Sequence, residues 1–205
     1  MIELSANQRD GLIEILNIAN GRAAASLSKT VNEPITIKVP TLQFVPLERA
    51  SKILIAATGD SICGVSQQFS GPFDTRAALI FPADKCPILV RLWAGEPLSD
   101  EEIAEMQEET LAEIGNIVLY AAFAAIARVL SGKFSGTLPL VQCGHPDALL
   151  RSGSGIQQET MLLTCIDFGF AQHNFQGYLS LFLSEDGGKR LIDCVDRFVA
   201  ENTSL

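Results

Sequence analysis

The 205-residue chain has only two histidines and one tryptophan. Its five cysteines, Cys63, Cys86, Cys143, Cys165 and Cys194, are scattered and form no CxxC pair. They read as small buried hydrophobes in a reducing cytosol. Only Cys143 and His145 lie close together, and a zinc site would need a second such pair, so no metal site is expected. Basic residues are also scarce: 15 Lys and Arg stand against 24 Asp and Glu, a net charge of -9. Nucleic acid and anionic membrane both reward clustered Lys and Arg. Neither partner is expected, whereas a protein carrying a basic patch is compatible.

The N-terminus lacks a basic segment followed by an apolar one, so no signal peptide is expected. The most apolar helical stretch, residues 117–130, is too short to span a bilayer, contains Arg128, and reads as a buried helix. A cytoplasmic protein is expected. His145 and His173 have no recognisable Ser or Cys motif around them, which argues against nucleophilic catalysis. Backbone amides of Ser152-Gly153-Ser154-Gly155 could cradle a phosphate, but no lysine with Ser or Thr follows in the Walker pattern. This stretch reads as part of a polar loop over residues 147–158.

What the chain does have is a pattern used twice. Glu14-Ile15-Leu16-Asn17 near the start answers Glu113-Ile114-Gly115-Asn116 past the middle, at an offset of 99 residues. In each copy 22 residues separate the asparagine from a proline, Pro40 or Pro139. The expected organisation is a single domain over residues 1–205, with internal repeats at about 1–97 and 98–205. No charge run or low-complexity linker divides them.

The first unit opens on a helix that Ser5 or Asn7 is placed to cap, running to about Val31. Leu12, Ile15, Leu16, Ala19, Ala23 and Leu27 form one stripe at helical spacing. Asp10, Glu14, Asn17, Gly21 and Ser28 form the opposite one. Asn32-Glu33-Pro34 stops the helix. Residues 35–39 and 41–47 read as extended, with Pro40 and Pro46 at a bend or edge. Residues 51–58 suit a short strand or a buried helical turn. Residues 62–69 and 75–81 are strands joined by Ser70-Gly71-Pro72, and residues 84–94 are a helix.

In the second unit Ser99 and Glu102 form a capping box. A long helix is expected from there to about Ser131, with a break near Glu108. Leu111, Ile114, Gly115, Val118, Ala122 and Ile126 point inward; Glu109, Glu113, Asn116 and Tyr120 point outward. Strands follow at 137–143, 160–168 and 174–183, then a helix at 188–201. Each unit thus reads helix, three strands, helix. The expected class is α+β, with one shared, mostly antiparallel sheet and two long helices carrying the motifs on an exposed face.

A glutamate and an asparagine three apart share a helix face, and asparagine is a mediocre helix former. Its reuse in the middle of two helices is not a matter of propensity. Asp10-x-x-x-Glu14-x-x-Asn17 with Pro40, and Glu109-x-x-x-Glu113-x-x-Asn116 with Pro139, resemble the duplicated signature of the CheC/CheX/FliY phosphatases of bacterial chemotaxis. The resemblance covers essentially the whole chain. It departs from the usual pattern at Leu16, Arg22, Glu109 and Tyr120.

The resemblance implies a CheC-like fold and a substrate, the aspartyl phosphate of a CheY-like receiver domain. It implies that Asn17 and Asn116 orient the attacking water and that Glu14 and Glu113 pair with a receiver lysine. Asp10, Gly21, Glu109 and Tyr120 would flank the docked partner. The chain would need no cofactor of its own, because Mg2+ belongs to the receiver. The chain starts just before its first helix and ends with its last, which implies a stand-alone CheC type without the appended segments of FliY; a monomer is expected, because the duplication supplies internally the pairing that a single-unit relative gets by dimerising. The alternative is a non-catalytic receiver-binding adaptor, or a regulator acting with a CheD-like deamidase.

Overall fold

The computed structural model describes residues 3–95, 97–151, 160–170 and 173–203. Two long helices dominate one face. Helix α1 (Ala6–Val31) starts at Ser5, whose hydroxyl accepts from Gln8 N at 3.2 Å while Gln8 Oε1 accepts from Ser5 N at 3.0 Å. Helix α4 (Asp100–Val129) starts on the same device, Ser99 with Glu102. Hydrogen bonding from the Ser99 backbone N–H, and then from its hydroxyl, holds the Glu102 carboxyl below its ordinary pKa. The helix α4 is unbroken, so the expected interruption near Glu108 is corrected: acids in its first turn and a continuous buried stripe keep it whole.

Between these helices lie strand β1 (Ile35–Pro46), helix α2 (Leu47–Thr58), strands β2 (Ile62–Ser70) and β3 (Thr75–Pro82), and helix α3 (Cys86–Ala94). The second half supplies strands β4 (Ser135–Gly136) and β5 (Leu140–Gly144), helix α5 (Pro146–Arg151), strands β6 (Thr160–Phe170) and β7 (His173–Leu183), and helix α6 (Glu185–Thr203). The sheet runs β1-β6-β7-β3-β2, with β4 and β5 both paired to β2, and every pairing is antiparallel. The first long strand of each half therefore pairs with the other half. The α+β class and the shared antiparallel sheet are as expected.

Helices α1, α3, α4 and α6 cover one face of the sheet. Helices α2 and α5 cover part of the other, over a second cluster that includes Leu54, Ile80, Leu149 and Phe182. This is why β3 is buried at every position and reads as a continuous apolar run. Each half thus has a further helix among its strands, α2 after β1 and α5 after β5, which corrects the helix, three strands, helix reading. Residues 51–58 resolve as helix. Residues 146–151, read in part as polar loop, are also helix; the remainder of that loop, with residues 152–155, lies outside the described residues. Ser51 on α2 donates to Asp147 on α5 at 2.5 Å, and buried Arg76 donates to Leu150 O at 2.7 Å from over the Phe182 ring. Of the strand expected at 137–143 only residues 140–143 form, within β5; Thr137, Leu138 and Pro139 separate it from the two-residue β4.

The cysteine reading needs a correction. Cys63 on β2 and Cys143 on β5 face each other across the ladder and form a disulfide. They are 80 residues apart, and only strand pairing between the halves brings them together. Cys86 and Cys194 are buried thiols, pushed up to about 12 and about 11 by burial.

By length and composition α4 could cross a bilayer. Its apolar stripe of Leu111, Ile114, Val118, Ala122, Phe123 and Ile126 is instead buried in the core. Gly115 lets α4 settle onto β2, since a Cβ there would run into Val65. At the equivalent position α1 has Leu16, fully buried. Asn20 is also fully buried on α1, and neither amide atom has a hydrogen-bond partner among the described residues. Its counterpart in α4 is the fully buried Leu119.

Four measurements check this packing. Alkylation of denatured, unreduced protein should label three cysteines, and five after reduction, read by mass spectrometry. In urea unfolding, Gly115→Ala should lose about 1 kcal/mol or more, because overpacking against Val65 exceeds the gain in helix propensity. Gly21→Ala, with open space around its Cβ, should instead gain about 0.5–1 kcal/mol. Asn20→Leu should stabilise the chain by about 1 kcal/mol or more by removing an unpaired buried amide.

Candidate functional site

Helices α1 and α4 lie side by side on the sheet and turn one stripe each away from it. Glu14 and Glu113 are exposed on those stripes; Asn17 and Asn116, one turn further on, are half-buried. Asp10, Gly21 and Glu109 are exposed along the same faces.

The burial of the asparagines has a cause. Asn17 Oδ1 accepts from Val39 N at 3.0 Å. At that point β1 breaks register against β6, between Lys38 and Thr41, and Pro40 lies in the interruption. The bulge leaves Val39 N–H free for a side chain, and proline demands no ladder bond of its own. The spacing of 22 residues from Asn17 to Pro40 is thus the length of chain needed to finish the helix, turn and return beneath the asparagine.

In the second half the contact passes through a third residue. Gln67 on β2, only 2% exposed, donates from Nε2 to Asn116 Oδ1 at 3.1 Å and to Thr137 O at 2.8 Å. Thr137 is tied in turn to Gln68, donating through N to Gln68 O at 2.9 Å and accepting at Oγ1 from Gln68 N at 3.1 Å.

These partners decide which way each amide faces. A backbone N–H can only donate, so Asn17 must turn its oxygen to Val39. Gln67 must donate to the Thr137 carbonyl, so its nitrogen also faces Asn116, which must accept. Both asparagines therefore anchor by Oδ1. Neither Nδ2 has a hydrogen-bond partner among the described residues. Each site presents an oriented N–H donor one helical turn from an exposed carboxylate.

The surroundings of the two sites differ. Tyr120, 41% exposed, donates to Gly136 O at 3.1 Å and packs edge-on against Phe69. Gly21 holds the equivalent place in α1. Leu138 is 89% and Leu140 57% exposed on either side of Pro139. Around Asn17 the exposed large apolar residue is Ile18, and the proline is flanked by buried Val39 and exposed Thr41. Sequence reasoning missed Gln67, which looks like any polar residue in an alternating strand. It also passed over Leu138 and Leu140, although two leucines bracketing the second proline were a readable signal.

No protein-family model matches the sequence. Among solved structures, the crystal structure of Thermotoga maritima FliY superposes with a TM-score of 0.79 at 18% identity, covering 96% of this chain and 100% of that one. The FliM middle domain of H. pylori gives 0.59 at 11% identity, over 93% and 99%. A chain of the CheX–CheY–BeF3–Mg2+ complex from Borrelia burgdorferi gives 0.54 at 15% identity, over 84% and 97%. The duplicated α+β architecture, with its paired outward helices, is the fold of the CheC/CheX/FliY proteins.

Proposed function

We propose that this chain hydrolyses the aspartyl phosphate of a CheY-like response regulator in chemotaxis or two-component signalling. The observation that carries the reading is the oriented amide: in each half the chain itself fixes the asparagine and leaves its N–H2 end outward beside an exposed glutamate. The likeness in fold to a chain from a CheX complex with CheY supports the same partner.

An acyl phosphate is already activated, so its hydrolysis needs a water placed in line with the leaving carboxylate oxygen more than it needs a strong nucleophile. Positioning and electrostatics dominate phosphoryl transfer. Nδ2 of Asn17 or Asn116 donates to the attacking water, whose remaining lone pair faces phosphorus. Because Oδ1 is held by Val39 or Gln67, little side-chain freedom is lost on docking. Glu14 or Glu113 pairs with a lysine beside the phosphoryl group and sets the register. Mg2+ is the receiver's. Among the described residues of this chain, no three His, Cys, Asp or Glu side chains cluster as ligands.

The second site is the stronger docking surface in this reading, because Leu138, Leu140 and Tyr120 offer apolar area around Asn116 that the first site lacks. One observation favours the alternative of a non-catalytic receiver-binding or CheD-type adaptor. Each asparagine oxygen already serves its own fold, so the asparagines have a structural use without catalysis.

Decay of a phosphorylated receiver separates the two. Asn17→Ala with Asn116→Ala should abolish accelerated decay while circular dichroism stays native, and Asn116→Ala alone should take the larger share. Asn17→Asp keeps the acceptor for Val39 and should retain stability, where Asn17→Ala loses about 1 kcal/mol. Both should lose the activity of the first site. Acceleration that survives in the double variant sinks the mechanism; tight receiver binding with unchanged phosphoryl lifetime supports the adaptor.

A further inference from the structure

Two turns beyond Asn116, the outer face of α4 borders a concave pocket of about 400 Å³. Phe69, Phe123 and Phe134 are among its lining residues, with Tyr120 on the side toward Asn116. Phe69 and Phe123 stack with ring centroids 3.8 Å apart, and Phe134 meets Phe123 edge-on at 5.0 Å. The pocket exists because of how α4 ends. Ser131 takes a left-handed φ of 52°, and Gly132 N donates back to Ala127 O at 2.9 Å. The chain then turns away, leaving the small residues Ala124 and Ala127 along the wall instead of covering them.

Arg128 and Lys133 complete the lining. Both are exposed, and neither forms an ion pair among the described residues. Two cations thus flank the pocket without a carboxylate to neutralise them. They also face the carbonyl end of α4, whose partial negative charge would otherwise repel an anion. The first repeat keeps only part of this lining, a basic residue at Lys29 where the second has Arg128. The α1 counterparts of Tyr120 and Phe123 are Gly21 and Ala24, and the counterpart of Lys133 is Pro34.

We propose that this pocket binds a small amphipathic anion: an apolar, preferably aromatic body of about two fused rings bearing a sulfonate, carboxylate or phosphate. Its volume lies near the lower end of the range for small-molecule sites, about 300–1,000 Å³. The rings pack on Phe134, Tyr120 and the wall of Ala124 and Ala127, over the buried Phe69–Phe123 stack, and the acidic group sits between Arg128 and Lys133 as a charge-assisted pair. This site takes its ligand independently of the receiver, and its test involves no phosphoryl transfer.

The probe is 8-anilinonaphthalene-1-sulfonate, titrated by fluorescence against the folded full chain. One saturable site is expected. Arg128→Glu with Lys133→Glu should weaken binding about tenfold or more. Ala124→Trp, which fills the pocket from an exposed position, should weaken it at least as much. The uncharged N-phenyl-1-naphthylamine should bind about tenfold more weakly than the sulfonate and ignore the charge reversal. As a check that needs no variant, amide shift changes in the wild-type chain should centre on Gly132, Lys133 and Phe134. The proposal is overturned by any of four results: no saturable binding, affinity within twofold in either folded variant, equal affinity for the neutral probe, or shift changes centred elsewhere.

Discussion

The exchange of first strands between the two halves is the constraint on which the rest depends. β1 completes its ladder on β6, and β5 completes its own on β2. Each half alone would leave β1 or β5 without that neighbour and its helices without a continuous floor. Pairing across the halves makes one sheet, and one sheet sets α1 and α4 beside each other with their polar stripes outward. The asparagines then meet their anchors from below: Val39 from the strand of the same half, Gln67 from a strand of the other. The second site is therefore built by both halves.

Much of this was legible at the level of local pattern. The caps at Ser5 and Ser99, the buried stripes of both long helices and the strands β2, β3, β6 and β7 follow from spacing and side-chain chemistry close in sequence. The features that escaped are those made by distant residues. Residues 51–58 suited strand or helix alike, and contact with α5 over the second face of the sheet goes with the helix, which starts at Leu47. Cys63 and Cys143 are unremarkable until register sets them opposite each other. Gln67 gains its role only when β2 passes beneath α4. At the site, the outward glutamates were readable from the helix stripes. The half-burial of the asparagines was not, because it arises from other elements, a bulge in β1 beneath Asn17 and Gln67 on β2 beneath Asn116.

The two copies keep one geometry by different means. Copy one puts Leu16 into the core beneath its helix and meets a backbone N–H directly. Copy two uses Gly115 to lie closer to its strand, and a glutamine relays the hydrogen bond. A glycine at position 16 would open a cavity, and a leucine at position 115 would collide with Val65. The departures from the duplicated pattern are thus matched to the local helix-to-sheet distance. The same divergence gives the second copy its apolar rim and its aromatic pocket, while the first stays open and small-sided.

The bulge at Pro40 has a consequence beyond the asparagine it seats. β1 is the end strand of its sheet, and an end strand is a template on which another strand can grow. Pro40 and Pro46 each remove a donor from that edge, Lys38 places a charge there, and the break in register twists the strand out of line. The device that aims Asn17 outward also makes the sheet a poor seed for fibrillar stacking, so a substitution that smoothed the bulge would expose the chain to aggregation at the same stroke as it released the amide.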